Sequence, residues 1–156
     1  MVYVFVYGSL LSGLSNHHVM RTAKGVFIGA AKTIGSFYLT ARGDKQYPYL
    51  TSTALSSQQI HNRITGEIYE IEDDVGLSVL DELEEYPMYY NRHIIDIQKS
   101  NSSSSCVHVT TTTNETIQCY AYFLENQSVL DKIRNEFGTG FFDVPDGDWK
   151  QYLSTK

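Results

Sequence analysis

A chain of 156 residues, 42% apolar and 13% aromatic with 12 tyrosines, is long enough to bury one sizeable core and too apolar for disorder. A net charge of −6, with no cluster of Lys or Arg, argues against a nucleic-acid partner. No apolar run approaches a membrane span and the amino terminus carries no charged-then-apolar signal, so the expected location is the cytoplasm, without a membrane partner.

The first element is a short apolar, β-branched and aromatic run over 2–7, which reads as a buried strand. It stops at Gly8-Ser9-Leu10-Leu11-Ser12-Gly13. Glycine lets the main chain turn sharply there, and consecutive N–H groups in such a turn form a nest for an anion such as a carboxylate. The turn lacks the lysine of a phosphate-binding loop and the glycine spacing of a dinucleotide fingerprint, which argues against nucleotide binding. Asn16 reads as the cap of a short helix over 17–22. His17 and His18 are adjacent, so on a helix their side chains diverge by roughly 100° and do not share one ion. His61, His93 and His108 stand alone in sequence, and no metal site or cofactor is expected.

Strands are expected over 26–30, 34–40 and 66–71. A helix is expected over 74–86, and its wheel is informative. Leu77, Leu80, Leu83 and Val79 share one arc, with Glu84 falling between Leu80 and Leu77. Ser78, Asp81, Glu82 and Glu85 point to the solvated side. One acid therefore faces the body of the protein. Burial disfavours its ionised form and raises its pKa, which suits a group that takes and returns protons near neutral pH. The competing reading is a glutamate bent outward on its stem or held by a buried arginine.

The remaining strands are expected over 92–98, 105–111 and 115–123, with a polar loop over 99–105 and a helix over 126–136. Arg92 is expected to pair with an acid of the preceding helix. Cys106 and Cys119 are the only cysteines, too few for a disulfide framework, and reduced thiols are expected in the cytosol even where a hairpin would set them opposite each other. The aromatic, turn-rich end from Gly138 to Trp149 is expected to pack on the rest of the fold and to border its pocket. Several strands with few long helices suit a barrel or a sheet-rich α+β domain occupying 1–156.

Three segments carry a family resemblance. Val4-Phe5-Val6-Tyr7-Gly8-Ser9-Leu10 with Asn16-His17-His18-Val19-Met20 resembles the opening of the γ-glutamylamine cyclotransferases, within the γ-glutamylcyclotransferase-like superfamily. Gly66-Glu67-Ile68-Tyr69-Glu70-Ile71, Leu80-Asp81-Glu82-Leu83-Glu84, Pro87 and Tyr90-Asn91-Arg92 follow in the same order. Ile117-Gln118-Cys119-Tyr120-Ala121-Tyr122 is also similar. The likeness covers about 2–124, fades over 99–113 and is weak beyond Leu124.

What the resemblance implies is an α+β fold, a small mixed β-barrel with flanking helices, in which Glu84 is the proton-transfer residue. It also implies a substrate loop at Tyr7, Gly8, Ser9 and Leu10, with Tyr90 and Tyr122 as family tyrosines that donate hydrogen bonds within the pocket; core packing is the competing reading for Tyr7, Tyr90 and Tyr122. Tyr49, in Tyr47-Pro48-Tyr49-Leu50, is expected to shape the amine side, with simple packing beside the proline as the competing reading. The implied partner is a small γ-glutamyl compound, such as the isopeptide γ-glutamyl-ε-lysine, closing on itself to 5-oxoproline and a free amine. Other γ-glutamyl substrates, or a binding protein that kept the fold without the chemistry, are the alternatives. Oligomeric state is left open by the sequence.

Overall fold

The computed structural model describes residues 1–44, 47–100 and 115–155. Strand β1 (Val2–Val6) lies at the centre, which is why an apolar run was placed there: Val4, Phe5 and Val6 are buried on both faces. It pairs antiparallel with β4 (Asn62–Ile71), Val2 opposite Ile71, and parallel with β6 (Thr116–Leu124) at Val4 and Tyr120. Strand β5 (Tyr90–Lys99) pairs antiparallel with β6 along its whole length, and the long β2 (Val26–Arg42) pairs with both β4 and β5. The path β2-β4-β1-β6-β5 therefore returns to β2 and closes a five-stranded mixed barrel. The expected α+β barrel with flanking helices is the fold.

Two expected strands, over 26–30 and 34–40, are one strand. Register shifts between Phe27 and Gly29 and between Lys32 and Ser36 let β2 bend around the barrel without ending, as bulges do. Its far half leaves the barrel and carries two short strands that the sequence reading did not place, β3 (Pro48–Thr51) on one side and β7 (Phe141–Asp143) on the other. The strand expected over 105–111, residues 101–105 of the polar loop and Cys106 lie outside the described residues; Cys119 is a buried free thiol.

Close packing of β4 on β1 depends on Gly66. A Cβ there would meet the Val6 carbonyl oxygen at 2.1 Å and the Phe5 ring at 2.7 Å, so only glycine lets the two strands approach. Helix α1 (His17–Thr22) follows the loop after β1, and α2 (Asp73–Leu83) follows β4, burying Leu77 and Leu80. Helix α3 (Gln127–Glu136) is capped by the Asn126 side chain, which accepts from the N–H groups of Ser128 and Val129, a cap worth about 1 kcal/mol. The same amide donates to the Met88 carbonyl at 3.0 Å, tying α3 to the turn that precedes β5. Beyond β7, a single 3-10 turn at Pro145–Gly147 leads into α4 (Trp149–Ser154), and the fully buried Trp149 anchors that end on the barrel.

Candidate active site

Helix α2 ends one residue before Glu84. The Glu85 N–H bonds to the Glu82 carbonyl and the Tyr86 N–H to the Asp81 carbonyl, while Glu85 itself adopts a left-handed φ of 52°. This is the paired-bond termination usually built on glycine. Glu84 is the residue at which the helix stops, its backbone still near helical at φ −85° and ψ 0°, and the Tyr90 N–H fixes its carbonyl at 3.3 Å. Its carboxyl group is partly buried and, among the described residues, makes no hydrogen bond or ion pair. Burial pushes its pKa up to about 7.

Asp81, read as a solvated acid, is not one. It accepts from the Tyr122 hydroxyl at 2.7 Å and is ion-paired with Arg92, whose guanidinium also lies over the Tyr86 ring at 4.2 Å. Arg92 is thereby spent on Asp81, which leaves Glu84 without a cation.

Glu84 opens into a cavity of about 290 Å³. The loop after β1 lines the same cavity through Tyr7, Gly8, Ser9 and Leu10. The N–H groups of Ser9 and Leu10 donate to nothing among the described residues, so two residues of the lining carry adjacent unbonded donors in a cavity that also holds a carboxyl group. The loop is held from outside the cavity. Ser12 gives its N–H and hydroxyl to the Glu67 carboxylate at 2.8 and 2.7 Å, and Tyr69 donates to the same group at 2.9 Å. Burial alone would raise the Glu67 pKa, but those donors outweigh it and hold the carboxyl below the usual range. His17 Nδ1 donates to the Leu10 carbonyl at 3.0 Å. Gly8 packs directly on Pro48: a Cβ would stand 2.8 Å from the proline Cδ.

Tyr7, Tyr90 and Tyr122 also line the cavity. The Tyr7 hydroxyl is committed to the Tyr122 carbonyl at 2.6 Å, and the Tyr122 hydroxyl to Asp81. Burial first, and the Glu84 charge second, push Tyr7 well above the ordinary phenol range, and Tyr90 is raised likewise by burial foremost, so both remain neutral. Tyr49 is the exception among the expected residues: it is buried but absent from the wall. Its side chain instead contacts those of Tyr89 and Tyr47. Tyr47 and Tyr89 line the cavity in its place, and Tyr49 packs behind them, its ring 5.8 Å from that of Tyr47. Tyr89 was missed because it follows the expected helix and carries no periodic signal; Glu85 was read onto the solvated side of that helix, and the left-handed turn at the helix stop brings it to the wall instead. Asn16 also reaches the wall, and its side chain caps nothing.

The model of the family described as gamma-glutamyl cyclotransferase, AIG2-like, matches residues 4–151. The chain belongs to that family. Relatives in it include a putative gamma-glutamylcyclotransferase of Drosophila melanogaster, 36% identical over 79% of this chain and 69% of that protein. The gamma-glutamylaminecyclotransferase of Mus musculus is 35% identical over 63% of this chain and 64% of that protein, so the chain spans about two thirds of these relatives. Among solved structures, an AIG2-like protein from Mus musculus superposes with a TM-score of 0.59 at 30% identity, covering 79% of this chain and 76% of the other. A uropathogenic E. coli-specific protein superposes with a TM-score of 0.61 over 99% of this chain and 97% of the other, at 16% identity, a likeness of fold alone.

The site of this AIG2-like cyclotransferase-family chain offers an unpaired acid near neutral pKa and free backbone donors across one small space. No group of three or more metal-ligating side chains is placed to hold an ion among the described residues. No helix there is long and apolar enough to cross a membrane. The carboxy-terminal helix α4 does not reach this cavity, contrary to the expectation that this end borders it; Asp148, Lys150 and Gln151 instead line a separate hollow behind Leu11 and Glu67.

Proposed function

We propose that residues 1–156 form one cyclotransferase domain that converts γ-glutamylamines, with γ-glutamyl-ε-lysine as the representative, to 5-oxoproline and the free amine. The observation that carries this reading is the Glu84 carboxyl, partly buried and unpaired, sharing a cavity with the unbonded N–H groups of Ser9 and Leu10. Family membership supports the reaction class.

In this reading the loop holds the α-carboxylate of the glutamyl group through backbone N–H groups and the Ser9 hydroxyl. That leaves the α-ammonium turned toward Glu84. The carboxylate removes one proton, and the neutral amine attacks the γ-carbonyl carbon to form the ring C–N bond. Nucleophile and electrophile are already tethered, so the enzyme supplies orientation rather than encounter. As the tetrahedral intermediate collapses, the γ-amide C–N bond breaks and the Glu84 carboxyl returns its proton to the departing nitrogen. Of the three protons on the ammonium, the lactam keeps one, and the amine, released as its own ammonium ion, receives two. Acid–base help of this kind contributes roughly 10²–10⁴-fold. Tyr90, kept neutral by burial, is a further donor available to the substrate, whereas Tyr7 and Tyr122 shape the wall with hydroxyls already engaged.

A broader γ-glutamyl specificity is favoured by the coarser name carried by the Drosophila relative. Incubation with γ-glutamyl-ε-lysine and separately with γ-glutamyl-alanine, with 5-oxoproline read by mass spectrometry, separates the readings. Product from the isopeptide alone supports the amine specificity. Product from γ-glutamyl-alanine alone shifts the substrate class. Product from neither leaves a binding protein on a cyclotransferase fold.

A further inference from the structure

An asparagine just before a helix is expected to cap it, and Asn16 does something else. Its side chain makes no cap bond to α1. Instead its Nδ2 donates to Ser9 Oγ at 2.9 Å, and its backbone N–H donates to the Ser9 carbonyl at 2.9 Å. Both bonds run to one residue, and both residues line the cavity.

Each bond has a directional consequence. A hydroxyl has one proton and two lone pairs. With a lone pair of Ser9 Oγ taken by the Asn16 amide, its proton is turned away from that amide and is free to donate elsewhere. The peptide plane joining Ser9 to Leu10 carries its C=O and N–H on opposite sides. Holding the Ser9 carbonyl back toward Asn16 therefore turns the Leu10 N–H the other way. That N–H donates to nothing among the described residues.

We infer that Asn16 is a positioning residue: it keeps Ser9 a hydrogen-bond donor and fixes the Leu10 N–H, so that the loop presents a preset donor array to the substrate's anionic group. The inference rests on the proposed reading that this loop binds the glutamyl α-carboxylate. It assigns Asn16 a role in binding rather than in proton transfer, because its contacts run to Ser9 and the carboxyl group of Glu84 receives none of them.

Asn16→Asp separates this role from a structural one. Aspartate has the same shape, and α1 keeps its start because the side chain at this position makes no cap bond to it. An ionised carboxylate accepts only. It would capture the Ser9 hydroxyl proton and withdraw that donor from the ligand. The measurements are KM and kcat for γ-glutamyl-ε-lysine, the Kd of 5-oxoproline by calorimetry, and the urea midpoint. Asn16→Asp is expected to raise KM and Kd about ten- to hundredfold, the usual range for losing a hydrogen bond to a charged group, with kcat lowered far less and the urea midpoint kept. KM and Kd within about twofold of the wild-type values would overturn the inference.

A double-mutant cycle answers the objection that the new charge simply repels the ligand. If Asn16 acts through Ser9, the effects of Asn16→Ala and Ser9→Ala on Kd fall well short of additive when combined. Additive effects would overturn the inference whatever Asn16→Asp does, including failing to fold. A wild-type protein that binds 5-oxoproline while the cycle is additive rejects the Asn16 role alone. A wild-type protein with neither turnover nor binding rejects the functional reading and this inference with it.

Discussion

The Tyr122 hydroxyl donates to Asp81 at 2.7 Å, so a tyrosine of β6 on the cavity wall grips the helix that stops at Glu84. The same tyrosine receives the Tyr7 hydroxyl on its carbonyl at 2.6 Å, which links the helix end to the start of the loop through one residue. Glu84 and the loop after β1, the proton-transfer group and binding loop of the proposed reading, are thus braced against the same strand.

Removing that grip tests its worth. Tyr122→Phe keeps the ring and the carbonyl but leaves Asp81 with Arg92 alone. Losing a partly buried hydrogen bond to a charged group costs about 1.5–3 kcal/mol. Urea denaturation is expected to show a loss in that range, and kcat is expected to fall several-fold as Glu84 loosens. Unchanged stability together with unchanged kcat would show that the contact is incidental.

Gly8 is constrained by its neighbour rather than by its own dihedral angles. Any Cβ would sit 2.8 Å from Pro48 Cδ, an atom bonded to the main chain of β3 and unable to swing aside. Gly8→Val is therefore expected to displace the loop and raise KM at least tenfold, about 1.4 kcal/mol, while circular dichroism stays native. An unchanged KM in a folded variant would remove the loop from the binding site.

The titration of Glu84 has a stability consequence. Its pKa in the fold is about 7, against an ordinary 4.5, so the folded state binds this proton more tightly than the unfolded chain. The resulting stabilisation is complete below pH 4.5 and is lost as pH rises through about 7. Glu84→Gln no longer titrates. It should therefore gain on the wild type between about pH 5 and about pH 8, by at most a few kcal/mol after screening through the cavity mouth. Urea midpoints of the two proteins at those pH values check it. A gap that does not grow with pH would contradict the assignment of the buried ionisation to Glu84.

Much of this was legible in the sequence, for physical reasons that can be named. The apolar run before Gly8 has no way to be stable except buried, and it became the central strand. The leucine spacing of α2 set Glu84 on the inner side even though the helix stops one residue short of it, because the stop keeps the backbone near helical at φ −85° and ψ 0°. Asp81 was misread because a wheel shows where a side chain starts and not that β6 brings Tyr122 to meet it. Tyr49 meets Tyr47 and Tyr89, which line the cavity, and its contact with Tyr89, distant in sequence, is not readable from its own segment. Asn16 satisfied the sequence rule for a cap, and the competing acceptor on Ser9 became visible only when the loop closed.

The central claim is that one carboxyl group, at Glu84, carries the proton between the attacking and departing nitrogens. Its most direct test is turnover of γ-glutamyl-ε-lysine by Glu84→Gln, which keeps the size and the fold but cannot act as the base. The account predicts that kcat falls by about 10²-fold or more while 5-oxoproline still binds with nearly wild-type affinity. Near-normal turnover by the folded variant would contradict it.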